Sequence, residues 1–118
     1  MKTVSQIKGE TNVPVVAADH KGLVTEVNER FTSVFGWSRE EIIGKPLASI
    51  IPTKLRDTHR LGFSRFLRTG RAMILNQPLE LKAIRKDGRE FAARHMIVAE
   101  RIDGEWAFAA TIEPIEES

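Results

Sequence analysis

Cysteine is missing from these 118 residues. Its absence rules out a disulfide framework, a thiolate-held metal, a cysteine nucleophile and a light-driven thiol adduct. Long apolar runs are missing too. Nothing approaches the roughly 18 residues that cross a bilayer, and the opening residues MKTVSQIKGE are polar rather than signal-like. No membrane span is expected within the chain, and the expected setting is cytoplasmic. A strong charge of one sign is also lacking: the net charge is +2, with Lys and Arg interspersed among Asp and Glu, so a nucleic-acid partner is not expected. The one local excess, Arg56, Arg60, Arg65 and Arg68, is spread around a helix surface instead of stacked in a stripe and reads as a solvated face. Catalytic signatures are wanting as well. There is no HExxH, no glycine-rich phosphate loop and no nucleophile triad spacing, and Glu40 and Glu41 are explained by the favourable field at a helix start. The expectation is a non-enzyme.

What is present is the composition of one compact soluble domain, 42% hydrophobic and 29% charged. Residues 1–12 are polar without a clear period and are expected to form an N-terminal tail or the end of a linker helix. A strand over Val13–Ala18, a turn at Asp19–Gly22 and a second apolar run from Leu23 to Val27 predict a hairpin. Asn28 can cap a short helix carrying Phe31, Val34 and Phe35, stopped by Gly36. Ser38 and Glu41 have capping-box spacing ahead of Ile42 and Ile43. Leu47, Ile50 and Ile51 supply one further turn before Pro52.

The longest helix is expected from Lys54 to Gly70. At helical pitch Leu55, His59, Gly62, Phe63, Phe66 and Leu67 share one face, with Asp57, Ser64 and Arg68 opposite. His59 therefore points toward the core, and Gly62 beside it leaves room for a flat or bulky group to approach the helix. After Gly70 the period changes to two. Leu79, Leu81 and Ala83 alternate with Glu80 and Lys82; Phe91, Ala93, His95, Ile97 and Ala99 share the parity of the next strand; Trp106, Phe108, Ala110 and Ile112 share that of the last. Asp87-Gly88 and Asp103-Gly104 are the reversals between them. The pattern gives an α+β layer pair: an antiparallel sheet with helices on one face and a cavity between the long helix and the sheet.

From Val13 to about Glu113 the chain resembles the PAS domain, a sensory module of bacterial signalling proteins. The resemblance rests on Asp19, Gly22, Asn28 and Phe31, then Gly36, Trp37, Ser38, Glu41, Gly44, Lys45 and Pro46, then the Arg85, Lys86, Asp87, Gly88 and Phe91 hairpin. It implies a PAS fold over residues 13–114, with a five-stranded antiparallel sheet of strand order 2-1-5-4-3, and a tail over 115–118 leading to an output domain. It implies a homodimer, and an attached output module such as a kinase, cyclase or chemoreceptor. One departure concerns that connection: the family's closing Asp-Ile-Thr reads Pro114, Ile115, Glu116 here.

Within the family, RDTHRLGF resembles the helix segment of the haem-containing oxygen sensors, whose proximal ligand is a histidine at the place of His59. That likeness implies haem b, with His59 on iron and His95 from the facing strand as a sixth ligand or distal hydrogen-bond donor. Leu79 stands where those sensors carry an arginine that answers to bound oxygen. The lining expected for such a group is Gly62, Phe63, Phe66, Ile74, Leu79, Leu81 and Ile97, with Met73 as an alternative distal ligand. The signal would be oxygen, another diatomic gas or redox state. The alternative is a haem-free module that binds a small organic ligand or acts as a dimerisation scaffold, with His59 held by a backbone carbonyl.

Overall fold

A computed structural model describes residues 2–72 and 75–115. The apolar runs of the first hairpin form β1 (Val15–Ala18) and β2 (Val24–Val27). Two short helices follow, α2 (Glu29–Phe35) and α3 (Arg39–Ile42), then 3-10 turns over Leu47–Ile50 and Thr53–Leu55 that lead into α4 (Arg56–Thr69). The chain ends in β3 (Pro78–Ile84), β4 (Glu90–Ile102) and β5 (Glu105–Pro114). All five strands make one antiparallel sheet in the order β2-β1-β5-β4-β3.

Local chemistry explains the helix ends. The Asn28 carboxamide oxygen accepts from the backbone N–H of Phe31 and of Val15, and its amino group donates to the Glu10 and Val13 carbonyls, so one side chain starts α2 and ties it to β1. Ser38 and Glu41 form the reciprocal capping box expected of them. Between β4 and β5, Asp103 and Gly104 both take positive φ, 52° and 83°. This is the backbone that a two-residue hairpin turn matching strand twist demands.

The alternation of β4 and β5 separates two apolar surfaces. Val16, Ala83, Ala93, Ala110 and Ile112 face α2 and α3, where Phe31, Phe35, Ile42 and Ile50 complete the main core. Farther along the same face, Ala18 and Phe108 meet Phe66 of α4. Residues of the opposite parity, Val15, Ala17, Val98 and Ala109, pack on the far side of the sheet.

That far side carries a helix that the sequence pattern did not place. The polar start, expected as a tail or the end of a linker helix, includes α1 (Val4–Lys8), which buries Val4 and Ile7 against that second surface. The gathering of helices on one face therefore holds for α2 to α4 alone. A five-residue helix shows too little period to read, but Val4 and Ile7 are three apart, Thr3 and Gln6 make a capping box, and the Glu100 carboxylate accepts from the Val4 N–H.

Candidate functional site

Helix α4 is less embedded than its length promises. Phe66 alone among its residues is buried, while Leu67, at 39% exposure, and Leu55 just before the helix, at 38%, are open. The expectation that both leucines join the core face is thus corrected. They sit at the margins of the apolar arc, and the ring of Phe66 with that of Phe63 takes the space beneath the helix.

His59 is half-buried, its ring 6.1 Å from that of Phe63. Loss of hydration depresses its pKa below the usual imidazole value, so the neutral ring dominates near pH 7. Among the described residues it has no hydrogen-bond partner; the bond to a backbone carbonyl that a merely structural histidine would be expected to make is not there. Gly62, one turn on, is exposed, and a methyl group added to it would meet nothing within 4 Å.

His95 is buried on β4, with Leu79 of β3 and Ile112 of β5 directly beside it in register. Its Nδ1 lies 3.1 Å from the Ala93 carbonyl oxygen. Against a carbonyl, Nδ1 must carry the proton and donate, which leaves Nε2 with the lone pair in the neutral ring. Burial lowers this pKa too, with the Ala93 carbonyl partly opposing it.

The remaining candidates divide into two groups. Leu79, Leu81 and Ile97 share the helix-facing side of the sheet with His95: Leu81 pairs with Ala93, and Ile97 packs at the margin of the main core. Leu81 is 40% exposed there, because the helix layer stops short of the edge strand. Phe63 and Phe66 instead belong to an aromatic group between α4 and β5. The Phe63 ring packs 5.1 Å from Phe108 and against Gly22, while Phe66 meets Phe108 at 5.5 Å and Trp106 at 4.7 Å. Ile74 and Met73 lie outside the described residues. No hydrogen bond or ion pair joins His59 to His95.

Two participants escaped the sequence reading. Gly22, in the β1–β2 turn at φ 78°, would bring an added Cβ to 3.5 Å from the Phe63 ring, so it both makes the turn and seats that ring. Trp106, placed by its parity on the face of Phe108, lies against Phe66 beneath α4. Its parity with Phe108 was the available signal. His20, in the turn after β1, is partly exposed, with its Nδ1 3.1 Å from the Glu105 carboxylate.

Surface depressions of about 420 and 510 Å³ lie around Trp37–Glu41 and around Lys8–Glu29. Neither contains a candidate site residue. Beside the first, the Lys86 ammonium pairs with Glu41 and lies 5.5 Å from the Trp37 ring centroid, and with the Ser38 backbone it holds the Glu41 carboxyl down at about 2. As expected, that glutamate serves the helix start. No cluster of three or more His, Asp or Glu side chains suited to a bare metal ion occurs among the described residues. No helix among them is long and apolar enough to cross a membrane.

Comparison with known proteins agrees with this architecture. The family model described as the PAS fold matches residues 4–112. An uncharacterized protein of Azorhizobium caulinodans is 36% identical over 104 residues, which cover 87% of this chain and 14% of that protein. The chain thus spans about a seventh of that relative. Among solved structures, the Rhodobacter sphaeroides LOV protein superposes with a TM-score of 0.70 at 15% identity, over 95% of this chain and 64% of that one. A PAS domain from a two-component sensor histidine kinase gives 0.67 at 13% identity, over 87% and 85%. At such identities the likeness is one of fold.

Proposed function

Since the chain belongs to the PAS family, we propose that it is the sensory module of a larger signalling protein, binding haem b between α4 and the β3–β5 part of the sheet through His59. The single observation that carries this reading is the state of that imidazole: half-buried, held neutral by lost hydration and bonded to no described residue. A neutral imidazole is the form that ligates iron. The donor set also favours an axially ligated macrocycle over a bare cation, since no cluster of three or more His, Asp or Glu side chains occurs among the described residues.

His59 would hold the iron and Gly62 would admit the macrocycle edge. Leu79, Leu81 and Ile97 would supply apolar contact on the sheet side, and the Phe63 and Phe66 rings, which pack beneath α4 against Phe108, would have to yield to admit the group. His95 has its Nδ1 proton committed to Ala93, so its free Nε2 suits a ligand or acceptor; this argues against the distal-donor role. When bound, the group would supply gas binding or a one-electron couple. The protein's own contribution would be to shift α4 on the sheet and bias an attached output module, of which a kinase is the example among the fold relatives. Within the reading, the chain acts as a cytoplasmic homodimer and not as an enzyme.

The test is the visible spectrum of the protein after incubation with hemin. A Soret band of a histidine-ligated species, lost in His59→Ala and retained with altered ligand affinity in His95→Ala, is expected. A protein that stays colourless, or a band indifferent to His59, overturns the haem assignment. In that event a small organic ligand recovered by mass spectrometry would support the haem-free alternative.

A further inference from the structure

We infer that the free edge of β3 is a self-association surface, at which a second copy of this chain adds its own β3 antiparallel, with the two-fold axis passing at Leu81. This does not depend on what occupies the space beneath α4.

The two edges of the sheet are unequal. At the start of β2 the backbone is covered: the Gly44 N–H donates to the Val24 carbonyl, the Val24 N–H donates to the Lys45 carbonyl, and Leu23 bridges to Pro46. At β3 all seven residues pair with β4 in unbroken register, Pro78 with Met96 through Ile84 with Glu90, and nothing among the described residues bonds the other side. Such an edge templates further strand pairing unless something blocks it. The usual blocks are a bulge, a proline within the strand, a very short strand or charged side chains that find no opposite partner. This strand has no bulge, its proline stands at the first position, and its two charges are of opposite sign.

Those charges select a register. Directly opposed residues of an antiparallel pair share a face. With the axis at Leu81, Glu80 lies opposite Lys82 of the second copy, and Lys82 opposite its Glu80. Leu81 meets Leu81, and Leu79 meets Ala83. Moving the axis by one residue sets Lys82 against Lys82 or Glu80 against Glu80, and a parallel in-register pair sets like charges beside each other. One arrangement therefore makes both ion pairs. It also covers Leu81, one of the exposed large apolar side chains at 40%, and continues both helix layers on the same face of a doubled sheet. Matching the segment PLELKAI to itself in this way gives an isologous, closed interface that ends at two copies.

Sedimentation over a concentration series tests the proposal. The wild-type protein is expected to dimerise, with a dissociation constant that rises with salt. Glu80→Lys and Lys82→Glu each turn both cross-strand pairs repulsive and should weaken the dimer by about tenfold or more. The double variant E80K/K82E restores opposite charges and should recover it. Mixing the two single variants should give a heterodimer from two monomers. Both side chains are exposed, so each variant keeps its fold, and circular dichroism checks that. A wild type that stays monomeric, or a dimer held elsewhere, for example through α1, and indifferent to the charge swaps, overturns the inference.

Discussion

Helices α2 and α4 lie on the same face of one sheet, and they are held very differently. In α2, only seven residues long, Phe31 and Phe35 are both fully buried and stacked at 4.3 Å, Phe91 meets Phe35 edge-on at 5.3 Å, and Asn28 fastens the start with four hydrogen bonds. In α4, twice as long, Phe66 alone is buried, no side chain caps the start, and Leu61 stands 63% exposed. The lesson is a division of labour within one layer. The short helix is anchored through two buried rings, and the long one through Phe66 alone, which places α4 at the less stable end of the fold.

The largest expected effect tests that division directly. Phe35→Ala should cost about 3–5 kcal/mol, a large part of the roughly 5–15 kcal/mol available to such a domain. The same deletion at Phe66 should cost at least about 1 kcal/mol less, because a loosely seated helix can settle into the gap. Urea denaturation measures both, and equal losses would mean that α4 is as tightly held as α2.

A smaller effect concerns the two imidazoles. Both have pKa values depressed by burial, so the unfolded chain binds more protons than the folded one at mildly acidic pH. Their contribution is complete above the unfolded value of about 6.5 and is lost as pH falls toward the lower folded values. The melting temperature should therefore drop between pH 7 and pH 5. His95→Asn should flatten that dependence more than His59→Asn, because His95 is the more buried. Thermal melts across that range check the order, and a flat wild-type profile would remove the argument for neutral rings.

The smallest effect is a gain. Gly62 sits within α4 with open space where its Cβ would be, so Gly62→Ala should stabilise the free protein by about 0.5–1 kcal/mol. If the glycine is there to admit a ligand, Gly62→Leu should also weaken hemin uptake. Equal uptake in both variants would make it an ordinary surface position.

Much of this contrast could be read from the residues. The capping signals of Asn28 and of Ser38 with Glu41, the parity of β4 and the turn pairs at Asp87 and Asp103 are all local, and the folded chain keeps each of them. Strand order came instead from the family likeness, since which strand lies beside which is a long-range matter that periodicity does not encode. Helical pitch put Leu55 and Leu67 on the face of His59, but only the neighbours decide how wide a buried arc is, and two phenylalanine rings narrowed it. The packing of α1 was invisible for a related reason. Val4 and Ile7 look isolated until a sheet surface of Val15, Ala17, Val98 and Ala109 exists to receive them. Of the candidate site, the residue types and the shared faces were legible. The tautomer of His95 and the lack of a partner at His59 were not, because both depend on where a carbonyl lies after folding.

Hydrogen exchange of the α2 and α4 amides, followed with and without hemin, probes the central claim most directly. The account predicts that Arg56–Thr69 exchanges faster than Glu29–Phe35 in the free protein and slows on loading, with α2 unchanged. Equal protection of the two helices, with no response of α4 to hemin, would contradict it.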